Sequence, residues 1–147
     1  MIIQIITGQY TSISKICEAY KKQDIELSWW AEDLIQKVSI NNIPESKRIK
    51  IVSGRELGFL DKALNDDIYN KALFSGMNLI TPEAALIVGL LGIEIDDRIM
   101  CGMEPIRLTD GDPMVFTHWK KKLSASFALP GQMVWDEQIK WAFELAY

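Results

Sequence analysis

"PIRLTDGDPMVFTHWKKKL", residues 105–123, holds two apolar pieces separated by a turn signal. Pro105 to Leu108 and Met114 to Trp119 read as extended chain. Thr109-Asp-Gly-Asp-Pro113 between them supplies the residue types that accept turn dihedrals, so the stretch predicts a β-hairpin. Upstream, strand-like and helix-like segments alternate. A hairpin joined to such an alternation predicts a mixed β-sheet with helices packed on it. We therefore expect a single α/β (α+β) domain over residues 1–147, with the hairpin in its C-terminal half.

The segments on either side follow from local signals. Ile2 to Ile6 is a short apolar run ending in Thr7-Gly8 and predicts a buried first strand. Ser12 is placed to cap a helix whose Ile13, Ile16, Cys17 and Tyr20 share a face, closed by Lys21 and Lys22. Ser28 is placed to cap a second helix carrying Trp30, Leu34, Ile35 and Val38, stopped by Asn41, Asn42 and Pro44. Arg48 to Val52 alternates charge and apolarity as a strand does. Ser53-Gly-Arg-Glu56 has capping-box spacing, and Leu57, Leu60 and Leu64 follow at helical intervals. A short helix is expected from Asp66 to Phe74. Thr81-Pro82-Glu83 starts a helix that is apolar on nearly every side, with Gly92 at its left-handed end. Gly92 to Ile95 reads as an extended piece, and Pro130-Gly131 as a turn. Trp135-Asp136 opens an expected last helix, with Ile139, Ala142, Phe143 and Ala146 at core spacing.

Composition narrows the classes. Apolar residues make up 48% of the 147 and charged residues 24%, a globular mixture long enough for one sizeable core. The 16 basic and 20 acidic residues leave a net charge of −4, which argues against general nucleic-acid binding. Cys17 and Cys101 form no CxxC pair, so neither a zinc site nor a redox motif is indicated, and two lone thiols suit a reducing cytoplasm. The apolar stretch Ala84 to Ile95 is too short for a membrane span. No P-loop, GxGxxG or HExxH pattern occurs, and no cofactor or metal is expected.

His118, the only histidine, shares one predicted strand face with Met114 and Phe116, while Val115, Thr117 and Trp119 share the other. It reads as a packed or edge-strand residue, with a catalytic base as the alternative. No serine or cysteine motif marks a nucleophile for it. Lys120, Lys121 and Lys122 read first as the charged guard of an edge strand and second as a phosphate grip. Asp110-Gly111-Asp112 is explained by turn chemistry and lacks the further ligands of a calcium loop. Trp29 and Trp30, adjacent on one helix, point about 100° apart, so one of them is available to a protein partner.

The segment Pro82 to Leu123 resembles the viral ring nucleases, small proteins that bind and cleave cyclic tetra-adenylate, a signal of type III CRISPR immunity. The resemblance is carried by "LLGIEI" (residues 90–95), "DDRI" (96–99), "IRLTDGD" (106–112) and "MVFTHWKKKL" (114–123). The spacing from Gly111-Asp112 to Lys122-Leu123 is similar to the family's spacing from Gly-Asp to Arg-Leu. "IITGQYTSISKI" (5–16) resembles the family's first strand and phosphate-facing loop. About half the chain is covered; residues 24 to 75 are longer than the family needs. The resemblance implies ligand contacts at Ser12, Arg98 and Lys122. The family's catalytic histidine falls near Ile80 here, and its glutamate falls near Ser124 and Ser126. The acid–base pair is therefore missing, which favours binding over cleavage.

Together these readings predict a cytoplasmic protein that acts by binding. One expectation is a protein-binding or inhibitory module of the kind encoded by phages or toxin–immunity loci. A second is a binder of an anionic small ligand such as a cyclic oligonucleotide, using Ser12, Arg98, Lys122 and His118. A third is an enzyme with His118 as base. An exposed hairpin edge would allow a homodimer, though nothing in the sequence requires one.

Overall fold

The computed structural model describes residues 1–93, 97–129 and 131–146. Its elements, in chain order, are β1 (Ile2–Thr7), α1 (Ile13–Lys22), β2 (Glu26–Leu27), α2 (Trp29–Ile35), β3 (Glu45–Ser53), β4 (Ala63–Leu64), α3 (Asn65–Phe74) and β5 (Met77–Asn78). There follow α4 (Pro82–Leu90), β6 (Ile99–Cys101), β7 (Ile106–Arg107), β8 (Pro113–His118), β9 (Lys122–Phe127), β10 (Val134–Trp135) and β11 (Lys140–Leu145). The main sheet runs β1-β3-β11-β6-β8-β9-β2, with β5 beside β11 and β7 beside β8; β4 and β10 form a separate ribbon. The sheet is mixed: β11 with β6 and β2 with β9 are parallel, and the other pairings are antiparallel. This is the expected α+β fold with its C-terminal-half hairpin. Among the described residues no helix is long and apolar enough to cross a membrane.

The three expected serine and threonine caps form. Ser12 Oγ accepts from Lys15 N–H, Ser28 Oγ from Ala31 N–H and Thr81 Oγ1 from Ala84 N–H. Each satisfies a backbone donor that the first helical turn cannot. α2 stops at Ile35, one turn short of the expected length, although Val38 is still buried. In α4 every residue from Glu83 to Val88 is buried. Leu86, Ile87 and Val88 contribute about 2 kcal/mol apiece by leaving water. Gly92, with φ +63°, follows the end of α4 in the left-handed conformation its position predicts.

Glu83 is 4% exposed, and it pins two loops. Its carboxylate accepts from Gly8 N–H at 2.7 Å and from Asn41 N–H at 2.9 Å. It also sits in the first turn of α4, where the helix dipole favours an anion.

Several expectations are corrected. The last helix is a strand, β11, and it lies inside the sheet between β3 and β6. Trp141, Ala142 and Phe143 are all fully buried because both faces of β11 are covered. Trp141 and Phe143 point to the side where Tyr69 of α3 meets both rings edge-on at 5.9 Å; Ala142 points the other way. Ser53 and Glu56 do exchange the two capping-box bonds, each 3.1 Å, yet a turn follows in place of a helix, and Leu60 is 87% exposed. β1 is an edge strand, with Ile2 and Ile6 on the open side at 56% and 42% exposure. It carries no charge and no proline. Gly92 and Ile93 lie outside any strand, and residues 94–95 of that expected piece fall outside the described residues; Ile99–Cys101 takes the place instead. Of the turn at Pro130-Gly131, residue 130 is outside the described residues.

Candidate functional site

The reading of Phe116 to Leu123 as a guarded edge strand is also corrected. β8 lies inside the sheet, between β6 and β9, and β9 in turn pairs with the short β2. Trp119 and Lys122 close the β8–β9 hairpin with reciprocal backbone bonds of 3.1 and 3.0 Å. Lys120 and Lys121 are the two-residue loop between them. Both have positive φ, +45° and +57°. That is the hairpin turn that favours asparagine and glycine, because a Cβ in the left-handed region is crowded. Two lysines at these positions are costly, and they project from the tip of the hairpin.

Beneath the tip is a cleft of about 670 Å³. Lys22 and Asp24 at the end of α1, Gly89 of α4, Gly92 just beyond it, Asp97, His118 and the three hairpin lysines line it. Among the described residues four lysines face two aspartates there, a cationic excess in a protein of net charge −4. His118 lies against α4. Its Nε2–H donates to Ala85 O at 2.8 Å, which leaves Nδ1 as the unprotonated nitrogen. Burial pushes the imidazole down to about 4, with the Ala85 bond opposing in part, so the ring is neutral at physiological pH. The approach depends on Gly89. A methyl group at Gly89 would lie 2.3 Å from His118 Cε1 and 2.5 Å from Tyr20 Oη. Tyr20 Oη donates to Leu86 O at 2.6 Å, tying α1 to α4 on the same wall.

A second hollow, a groove of about 290 Å³, is lined by Arg98, Thr117, Ser124, Ser126, Trp30 and Phe127. Thr117 is paired directly with Ser124 across the strands, and Lys122, Ser124 and Ser126 alternate onto one face of β9. Trp30 and Phe127 meet edge-to-face at 5.8 Å. Lys122 and Trp119 line both hollows.

The residues singled out in the sequence are therefore divided. His118 and Lys122 meet in the cleft, and Arg98 and Lys122 meet in the groove. Ser12 lines neither and gives its hydroxyl to the cap of α1. Trp29 is 72% exposed and Trp30 38%. Lys22 and Gly89 were not singled out as site residues; the one legible signal was a glycine inside an otherwise apolar helix, which often marks close packing. Among the described residues no cluster of three or more His, Cys, Asp or Glu is arranged for a metal ion. No family model, curated protein or solved structure matches the chain.

Proposed function

We propose that this protein acts by binding an anionic small ligand in the lysine-lined cleft, in a cytoplasmic setting, and not by covalent chemistry. The observation that carries the reading is the Lys120-Lys121 turn. Backbone strain retained at the mouth of a cleft is common at functional sites. Here it delivers two ammonium groups where Lys22 and Lys122 already stand. The neutral His118 adds no charge, and its unprotonated Nδ1 can only accept, which suits a hydroxyl or amine of the ligand and not its anionic group. The resemblance to the viral ring nucleases makes a cyclic oligonucleotide the first ligand to try, held by a chain that is apolar at Ile80, near where the resemblance puts the catalytic histidine. The test is thermal melting with a panel of cyclic oligonucleotides and linear polyphosphates. A ligand at a hundred times its Kd stabilises the native state by about 2.7 kcal/mol, which is readily seen. No shift with any polyanion, or an equal shift in a Lys120→Glu/Lys121→Glu protein, would refute the reading.

A second reading, a protein-binding or inhibitory module, draws on Trp29 and Trp30. A 72% exposed tryptophan beside a 38% exposed one gives α2 a contact surface of the kind that anchors protein interfaces. A Trp29→Ala protein that no longer captures a partner retained by the wild type would support it. Capture unchanged by that substitution would count against it.

A further inference from the structure

We infer that the groove on the β8–β9 hairpin is a second binding site, for a small anion carrying one planar ring, of the nucleoside monophosphate class. It shares only Lys122 and Trp119 with the cleft and needs none of the turn lysines. Arg98 makes no ion pair or hydrogen bond with its side chain among the described residues, and the hydroxyls of Thr117, Ser124 and Ser126 make none either. A guanidinium, an ammonium and three hydroxyls thus line one hollow without a partner among the described residues. An arginine fork matches the paired oxygens of a phosphate or carboxylate. Trp30 and Phe127 form an aromatic corner on the same lining, and the partly exposed Trp30 leaves ring surface for stacking. Stacking on such a ring is available to any base. The size sets the class: about 290 Å³ is at the small end of ligand pockets, room for one ring and one anionic group. The wall of hydroxyls at two-residue spacing then faces a polyol between ring and anion.

The test is calorimetric titration of the full chain with uridine 5′-monophosphate, ribose 5-phosphate and uridine. The expected result is that the monophosphate binds about tenfold or more tightly than either fragment. Arg98→Ala and Trp30→Ala should each weaken it about tenfold or more, whereas Lys120→Glu/Lys121→Glu should leave it unchanged. That last protein separates this site from the cleft, since it removes cleft binding alone. If Arg98→Ala unfolds, Ser124→Asp repeats the test by placing a like charge against the ligand, with the same loss expected. No heat with the monophosphate, equal affinity for ribose 5-phosphate, or binding indifferent to both Trp30→Ala and Ser124→Asp would overturn the assignment.

Discussion

Replacing Lys120-Lys121 by Asn-Gly should make the protein more stable and a poorer binder of polyanions. Each lysine holds a positive φ at a cost of about 1 kcal/mol relative to an extended or right-handed conformation. Asparagine and glycine tolerate that region, so the double change recovers most of about 2 kcal/mol. Glycine gives back about 0.5–1 kcal/mol through its greater freedom in the unfolded chain. The Lys120 ammonium also lies over the Trp119 ring, 5.0 Å from its centroid, and losing that contact leaves a net gain of about 0.5 kcal/mol, which for a chain of this length raises Tm by about 1–2 °C. The backbone bonds that close the hairpin, and the Lys121 carbonyl's bond to Glu26 N–H, do not depend on the side chains and are kept. Two of the four cleft ammoniums are lost. If each touches a phosphate, affinity falls about tenfold or more. The assays are calorimetric melting and urea unfolding at pH 7, with the m-value unchanged, alongside titration of the tightest polyanion found. A variant that melts at or below the wild-type temperature would refute the strained-turn account. A variant that is stabilised yet binds equally well would refute the role of the lysines.

Three further outcomes are expected. Glu83→Gln keeps one acceptor but turns an amide N–H₂ toward a backbone N–H, and should cost about 2 kcal/mol by urea unfolding; Glu83→Ala should cost about 3 kcal/mol. A Glu83→Gln protein as stable as wild type would show that the loops at Gly8 and Asn41 do not need the carboxylate. Gly89→Ala improves helix propensity by about 1 kcal/mol but drives a methyl into His118 and Tyr20, so a net loss of about 1–2 kcal/mol is expected, with the Tyr20 to Leu86 bond broken. A more stable Gly89→Ala would contradict the contact. His118 has a folded-state pKa of about 4 against about 6.5 unfolded, so the unfolded state takes up the proton first. Its contribution is fully present above about pH 6.5 and is lost as the pH falls toward 4, about 3 kcal/mol at most. His118→Gln, whose amide can still donate to Ala85 O, should flatten that part of the stability profile; an unchanged slope would disprove the assignment.

Local polar chemistry was legible in the sequence, and long-range burial was not. Ser12, Ser28 and Thr81 announced three helices because a cap needs only its own turn. Ser53 and Glu56 show the boundary of that logic. Their two bonds form as the spacing predicts, but a box closes one turn and cannot extend it where Gly58 takes φ +107°. β11 failed for the opposite reason. A strand covered on both faces loses its alternation, and Trp141-Ala142-Phe143 then reads like one side of a helix. The same ambiguity hid Ile99–Cys101. For the site, His118 and the lysines drew notice by composition. Their arrangement depended on a two-residue loop with none of the Asn-Gly or Asp-Gly chemistry that would have flagged it. Arg98 and Lys122 were singled out, and they meet in the groove. The approach of His118 to α4 through Gly89 is set by packing between elements about thirty residues apart.

The bare rim at β1 has a practical side. Six residues without a charge or proline leave a ready template for a strand from a neighbouring molecule. A net charge of −4 repels neighbouring copies at neutral pH, and that repulsion fades as carboxylates take up protons. Concentrated stocks should therefore keep best on the alkaline side of neutrality and in modest salt. Turbidity that appears on acidification should vanish in a protein carrying lysine at Gln4 on this outermost strand.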